Sequence, residues 1–112
     1  MSNNDCIFCK IAAGAFNTEF LFEDDRVAAF KDLSPQAPVH FLVVPKEHFE
    51  SIKDVEDEAL VGHLIAAAKA AAEKLGLNEY RLVINTGPEA GQSVFHLHLH
   101  VLGGRTMQWP PG

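Results

Sequence analysis

Three histidines stand at alternate positions in one short segment, Phe95-His96-Leu97-His98-Leu99-His100-Val101. Successive side chains of a β-strand point to opposite faces, so a strand here places the imidazoles on one face and the apolar side chains on the other. The apolar face can enter a hydrophobic core, which constrains the fold to one that contains a sheet. The other face carries groups whose ordinary pKa lies closest to neutrality, and these can act as nucleophile, acid, base or metal ligand.

The size and composition predict a single domain, residues 1–112, because 112 residues with 47% hydrophobic content suffice for one core. The formal net charge of −6 argues against a nucleic-acid partner, since nucleic-acid binding uses clusters of Lys and Arg. No apolar run is long enough to span a bilayer, and the polar start lacks the basic and apolar regions of a signal peptide. We therefore expect a cytoplasmic protein without a membrane partner.

The rest of the pattern predicts an α+β fold with an antiparallel sheet, one long helix and a short N-terminal helix. The long helix is expected over 56–75, with Asp54 as its N-cap. The other expected elements are a short helix over 5–13, a hairpin over 20–22 and 26–31, strands over 40–44, 81–85 and 94–102, and an irregular tail over 103–112.

Two chemistries fit the histidine row, and the residues alone leave both open. Alternate histidines on a strand can converge on one metal ion, here His96, His98 and His100 around a catalytic metal. Alternatively, the central imidazole of His98 is a nucleophile that its neighbours tune. A polar face that merely happens to hold histidines is disfavoured, because three occur at strict period two opposite four apolar residues.

Other polar residues gain meaning from their place beside this row. The loop from Gly87 to Ser93 enters it directly, and glycine backbone together with the Ser93 hydroxyl could cradle an anion. An ordinary hairpin turn is the alternative. His40 begins one predicted strand and Asn85 ends another, so both lie near the row if these strands are neighbours in the sheet. If the strands are not neighbours, His40 is a core histidine and Asn85 a turn residue.

The chain has two cysteines, Cys6 and Cys9, which form a C-x-x-C pair. In a cytosolic chain this pair indicates a metal site or a redox pair rather than a structural disulfide. Zinc needs two further ligands, and histidines are abundant. Two buried thiols without a metal are the alternative.

Together these residues resemble the histidine-triad family of nucleotide hydrolases and transferases. The His-x-His-x-His run with apolar spacers is that family's signature, and the similarity covers nearly the whole chain from Cys6. The segments that look like the branch of histidine-triad nucleotide-binding proteins are 22–26 (FEDDR), 32–38 (DLSPQAP), 40–46 (HFLVVPK), 91–94 (GQSV), 103–105 (GGR) and 109–112 (WPPG).

The resemblance implies hydrolysis of purine nucleoside 5′-phosphoramidates, such as adenosine 5′-monophosphoramidate or aminoacyl adenylates, to the nucleoside monophosphate and an amine. Dinucleoside polyphosphate hydrolysis is an alternative, and so is a regulatory nucleotide-binding role with little turnover. No organic cofactor is implied. The resemblance also implies a homodimer, and the alanine-rich helix favours one, because Leu60, Leu64 and Ala68 could meet their symmetry mates.

The resemblance further assigns roles to single residues. His98 would attack the α-phosphorus and form a nucleotidyl-histidine intermediate, while His100 and His40 would assist phosphate binding and proton transfer. The other implied contacts are Ser93 near the leaving group with Gln92 beside it, Asn85 at the phosphate or ribose, Asp32 at the ribose hydroxyls, and Phe8, Leu33 and Leu42 around the base. The last histidine of the row is a glutamine in the transferase branch, so His100 implies water as the acceptor.

The chain departs from this branch at two places. Many members of the branch lack the two cysteines, whereas in other members of the wider family the pair joins two histidines on zinc. By that resemblance Cys6, Cys9, His48 and His96 would hold a structural zinc, and His96 would be unavailable for acid–base work. The second departure is Phe16-Asn17 near the expected base pocket, where the branch commonly has Ile-Pro.

Overall fold

The computed structural model describes residues 5–112, and the polar start at residues 1–4 lies outside the described part. The elements are α1 (Ile7–Ala12), β1 (Phe22–Glu23), β2 (Val27–Lys31), β3 (Val39–Pro45), a 3₁₀ helix (Ile52–Asp54), α2 (Glu58–Lys74), β4 (Tyr80–Val83), a second 3₁₀ helix (Pro88–Ala90) and β5 (Leu99–Gly103). The five strands of this described part form one antiparallel sheet in the order β1-β2-β3-β5-β4. The predicted α+β class is confirmed. Within residues 5–112, none of the helices is both long and apolar enough to cross a membrane.

The two faces of the sheet bury against different helices. Helix α2 covers one face, and its alanines pack beside Phe41, Val43 and Val101 in the larger core cluster. The short helix α1 lies on the other face, in a second cluster that includes Phe30 and Leu42. Because side chains alternate along β3, the even-numbered positions 40, 42 and 44 face α1.

The register between β3 and β5 fixes the geometry of the histidines. Leu42 pairs with His100, and His40 pairs with Leu102, so all four side chains project from the α1 face. The neighbouring pair Phe41 and Val101 projects into the core under α2. The pairing of these two strands is what brings His40, which is remote in sequence, next to the end of the histidine row.

The long helix begins later than predicted. Asp57 is its N-cap, and its carboxylate accepts a hydrogen bond from the Ala59 N–H, so α2 starts at Glu58. Asp54, the predicted cap, instead completes a capping box with Ser51 around the first 3₁₀ helix.

The side chains expected to meet symmetry mates lie inside the protein's own core. Leu60 and Leu64 are 1% exposed and Ala68 is 0% exposed, because all three pack against the sheet. The prediction that these three side chains meet their symmetry mates is therefore wrong.

The predicted strand over 94–102 is wrong in its first half, since β5 begins only at Leu99. Pro45, at the end of β3, has no N–H to donate, and its carbonyl accepts a hydrogen bond from the His96 ring instead (Nε2–O 2.8 Å). The backbone N–H of Leu97 donates to the Phe49 carbonyl rather than to a strand (2.7 Å). Phe95 is 47% exposed, so the expected apolar face is broken at its first residue.

Candidate active site and candidate metal centre

Six aromatic rings lie one after another across the α1 face of the sheet. The centroid distances are 5.2 Å for His40–His100, 4.9 Å for His100–His98, 5.0 Å for His98–Phe8, 5.9 Å for Phe8–His96 and 5.0 Å for His96–His48. Phe8 divides the histidines into two groups. His40, His98 and His100 line a cavity, whereas His48 and His96 face the cysteines.

The tautomer of His98 follows from a partner that can only accept. Its Nδ1 lies 2.8 Å from the carbonyl oxygen of His96, so Nδ1 carries the proton and Nε2 keeps its lone pair. The side chain is 6% exposed, and burial lowers its pKa. His98 is therefore a neutral imidazole at neutral pH, held in one orientation with an unprotonated Nε2.

His40 and His100 form a hydrogen-bonded pair beside it. The Nε2 of His40 lies 3.0 Å from Nδ1 of His100 and 3.4 Å from a carboxylate oxygen of Asp32. Burial lowers the pKa of His40, against the opposing effect of Asp32. Burial, followed by the neighbouring histidines, lowers the pKa of His100 to about 4. Both rings are consequently neutral at neutral pH in the free protein.

The rings of His40, His98 and His100, together with Ser93, line a cavity of about 420 Å³ at the α1 face of the sheet. It brings together eight of the ten residues predicted for catalysis and substrate binding: Phe8, Asp32, Leu33, His40, Leu42, Ser93, His98 and His100. Its histidine end is polar and its α1 end is apolar. Leu33 stands at the rim with 94% of its side chain exposed, so a ligand could cover it. A larger groove of about 830 Å³ runs along β4 and the tail, and its lining contains no histidine among the described residues.

Gln92 and Asn85 do not line this cavity in the described structure. The Gln92 side chain is 5% exposed, and its amide donates to the carbonyls of Glu50 (2.6 Å) and Val94 (3.1 Å). Its side-chain oxygen accepts from the Gly87 N–H (2.8 Å). All three bonds are to backbone, so Gln92 fixes the loop that presents Ser93 to the cavity.

Some cavity residues were missed by sequence reasoning. Phe30 lines it and contacts Phe8 edge to face at 5.8 Å. Side chains alternate along β2, so Phe30 lies on the same face of the sheet as Ala28, the face that α1 covers. This alternation is visible in the sequence, and it would have found Phe30 if that face of the sheet had been assigned to the cavity. Ile7, Ile11 and Thr18 also line the cavity, and no local pattern marks them.

The second group is a compact cluster of four metal-binding side chains, which we call the candidate metal centre: Cys6, Cys9, His48 and His96, whose ligand atoms all lie within 4.8 Å of one another. The Nδ1 of His96 lies 3.2 Å from Sγ of Cys6 and 3.4 Å from Sγ of Cys9. The Nδ1 of His48 lies 3.4 Å from Sγ of Cys9. In a tetrahedral zinc site, bond lengths of about 2.3 Å to sulfur and about 2.0 Å to nitrogen set the S···N separation at about 3.5 Å.

The surroundings of the candidate metal centre match this donor set. Nε2 of His96 donates to the Pro45 carbonyl, which leaves the lone pair of Nδ1 directed at the thiols. The two ring nitrogens of His96 therefore face the Pro45 carbonyl and the thiols, and neither faces His98 or His100. A catalytic metal held jointly by His96, His98 and His100 does not fit this arrangement.

Comparison with known proteins identifies the class. The family model described as HIT domain matches residues 14–107, and the chain therefore belongs to the HIT domain family. It is similar to a HIT family hydrolase from Legionella pneumophila, with a TM-score of 0.89, 49% identity, and coverage of 96% of this chain and 99% of that one. A histidine triad protein from Clostridium difficile is also similar, with a TM-score of 0.90, 43% identity, and coverage of 96% and 97%. An uncharacterized HIT-like protein from Synechococcus elongatus is 50% identical over 113 residues, which are 98% of this chain and 99% of that protein.

Proposed function

We propose that this chain hydrolyses purine nucleoside 5′-phosphoramidates to the nucleoside monophosphate and an amine. The observation that carries the proposal is the neutral Nε2 of His98, fixed by the His96 carbonyl at the polar end of a cavity whose other end is apolar. Membership of the HIT domain family and the similarity to a HIT family hydrolase support a nucleotidyl-transfer reaction.

The apolar end of the cavity would hold the base. Phe8 and Leu42 form its buried walls, and Leu33 would close over the ligand from the rim. One oxygen of Asp32 already accepts from the Ser34 N–H (2.8 Å), so the carboxylate is held in place and has further lone pairs for ribose hydroxyls.

The reaction would proceed in two displacements at phosphorus. In the first, Nε2 of His98 forms a bond to the α-phosphorus while the P–N bond of the substrate breaks. The hydrogen-bonded pair of His40 and His100 takes up a proton when the phosphate anion enters beside it, and Nε2 of His100 gives a proton to the leaving nitrogen, so a neutral amine departs. In the second, water attacks the same phosphorus, its proton passes to His100, and the P–N bond to His98 breaks. Ser93, exposed at the mouth of the cavity, would bind near the leaving group.

A fluorogenic adenosine phosphoramidate, its guanosine counterpart and a dinucleoside polyphosphate separate the candidate activities. We expect turnover of the phosphoramidates to exceed that of the polyphosphate. Preferred cleavage of the polyphosphate would assign the alternative hydrolase activity. Tight binding of adenosine monophosphate without turnover of any substrate would assign a regulatory nucleotide-binding role.

We also propose that the candidate metal centre holds one structural zinc ion. Four protein ligands would complete a tetrahedral site, so the ion would tie α1 and its preceding residue to the sheet and take no part in the reaction. Metal analysis of protein purified without added zinc tests this, with about one equivalent expected. A zinc content near zero, with both thiols freely titrating, would show that the cysteines are merely buried.

A homodimer remains our third proposal, although its surface differs from the predicted one. Strand β4 is an edge of the sheet, and its Leu82 is 38% exposed. The 830 Å³ groove runs beside this edge and is lined by Tyr80, Arg81 and the tail. An unpaired edge of this kind favours association with a second copy. Sedimentation at micromolar concentration is expected to give twice the mass of one chain, and a monomer would contradict the proposal.

A further inference from the structure

The C-terminal tail contacts the loop that is hydrogen-bonded to His40. Arg105 is exposed, and its Nε and Nη2 donate to the Gln36 carbonyl at 3.3 and 3.2 Å. Its Nη1 donates to the Thr106 carbonyl (3.2 Å). Gly104 has a φ of +90°, and a Cβ added there would lie 2.9 Å from Cβ of Pro38. The tail therefore packs closely on the loop that carries Gln36.

The same residue, Gln36, bonds to His40. The backbone N–H of Gln36 donates to Nδ1 of His40 at 3.0 Å, and a backbone N–H can only donate. The Asp32 carboxylate, 3.4 Å from Nε2 of His40, favours the same tautomer. Nδ1 of the neutral His40 is therefore unprotonated, and the proton sits on Nε2. That Nε2–H donates to Nδ1 of His100 at 3.0 Å, which leaves His100 with its own proton on Nε2.

His100 therefore presents one fixed hydrogen-bond donor, its Nε2–H. Within residues 5–112, its Nε2 makes no hydrogen bond, and the ring lines the cavity beside His98. Without the Gln36 N–H, only the Asp32 carboxylate would favour the proton on Nε2 of His40, and the ring would exchange between its two tautomers. When the proton is on Nδ1 of His40, two lone pairs face each other across 3.0 Å. His100 would have to place its proton on Nδ1 to remove that repulsion, and it would lose the N–H that faces the cavity.

We propose that Arg105 is a positioning residue that, through the Gln36 peptides, holds His40 and His100 each in its Nε2–H form. Arg105 acts by clamping Gln36, which lines the cavity; within the described residues Arg105 makes no hydrogen bond to a histidine and does not line the cavity itself. The catalytic consequence rests on the proposed function above, whereas the tautomer assignment does not.

Imidazole ¹⁵N NMR of the full chain tests the assignment directly. We expect His40 and His100 of the wild type to show one protonated and one unprotonated nitrogen each, with the proton on Nε2. In Arg105→Met we expect averaged nitrogen shifts for both rings, which indicates exchange between tautomers. Arg105→Lys should show a smaller change, because one ammonium can replace a single bond of the fork. Arg26→Met is the matched control, since Arg26 is an exposed arginine whose side chain, within residues 5–112, hydrogen-bonds only to Asp57, at 3.1 Å.

Kinetics with the adenosine phosphoramidate supply the second readout. Arg105→Met should lower kcat by about tenfold to a hundredfold, the usual effect of a displaced catalytic group, while KM changes less than twofold. Arg26→Met should keep both values.

Two variants of Gln36 test its backbone N–H directly by NMR. Gln36→Ala keeps the N–H and should retain the wild-type tautomers, whereas Gln36→Pro removes the N–H and should lose those tautomers.

Several results would overturn the inference. A proton on Nδ1 of His40 in the wild type, or unchanged tautomers in Arg105→Met, would each do so. A loss of kcat in Arg105→Met with unchanged tautomers would assign Arg105 another role. If the wild type turned over no phosphoramidate, the proposed function would fail, but the NMR comparison would still decide the role of Arg105.

Discussion

The substitution His98→Asn separates the attack by His98 from its structural role. The amide nitrogen of asparagine can occupy the position of Nδ1 and keep the hydrogen bond to the His96 carbonyl, now 2.8 Å long. The substitution removes only the far side of the ring, which carries Nε2. We therefore expect turnover to fall by roughly 10⁴ or more, the usual cost of losing a nucleophile, while adenosine monophosphate still binds.

For the matched variant His98→Ala we expect the same loss of turnover but a larger loss in the free energy of unfolding. It leaves the buried His96 carbonyl without its partner, which costs about 1–3 kcal/mol, and it opens a small cavity beside Phe8. His98→Asn should differ from the wild type in the free energy of unfolding by only about 1 kcal/mol, because the hydrogen bond survives.

Steady-state and single-turnover assays on the adenosine phosphoramidate measure the first effect, and urea unfolding monitored by circular dichroism measures the second. Rapid acid quench of the wild type with labelled substrate should trap the label on His98. Wild-type turnover in either variant, or label on Ser93 instead of His98, would refute the mechanism.

Three further predictions address the other parts of the site. Exhaustive chelation should lower the melting temperature while leaving kcat within about twofold at a temperature where the fold persists, because none of the four ligands lines the cavity and the bond from the His96 ring to the Pro45 carbonyl needs no metal; full loss of turnover with the fold intact would contradict this. Acid should destabilise the protein through His100, whose pKa is about 4 when folded against about 6.5 when unfolded. The unfolded chain binds the extra proton between these values, so stability falls as the pH is lowered from about 6.5 to 4, by about 1–2 kcal/mol from this group once solvent screening is discounted; urea unfolding at pH 7 and 4.5 should show a smaller loss in His100→Gln. Leu33→Ser should raise KM several-fold and leave stability within about 0.5 kcal/mol of wild type, since the side chain is 94% exposed; an unchanged KM would remove Leu33 from the base site.

The α+β class, the presence of the two helices and the second half of the strand that carries His100 could be predicted from local signals, because each depends on side-chain periodicity. The start of α2 could not, because Asp54 and Asp57 both suit an N-cap. Register could not be predicted in this way. The proximity of His40 to His100 comes from the pairing of Leu42 with His100, which joins strands separated by more than fifty residues. No pattern within either strand specifies that pairing.

The residues around the cavity likewise differ in how far the sequence predicts them. Phe8 and Leu42 were named through resemblance, and the structure places both in its wall, whereas Gln92 was named through resemblance and is bonded to backbone on all sides. Arg105 carried no signal as a partner of the histidines, because its effect runs through the carbonyl of Gln36 rather than through a side chain.

The irregular segment before β5 explains how one row of histidines can serve two sites. A continuous strand would have set His96, His98 and His100 side by side, facing one ligand. The ladder instead stops at Pro45, and the carbonyl of that residue turns the His96 ring toward the thiols. The His96 carbonyl then holds Nδ1 of His98 and leaves its Nε2 free. The backbone of a residue in the candidate metal centre thus orients the proposed nucleophile, so the two sites are joined through one peptide group although their side chains point apart.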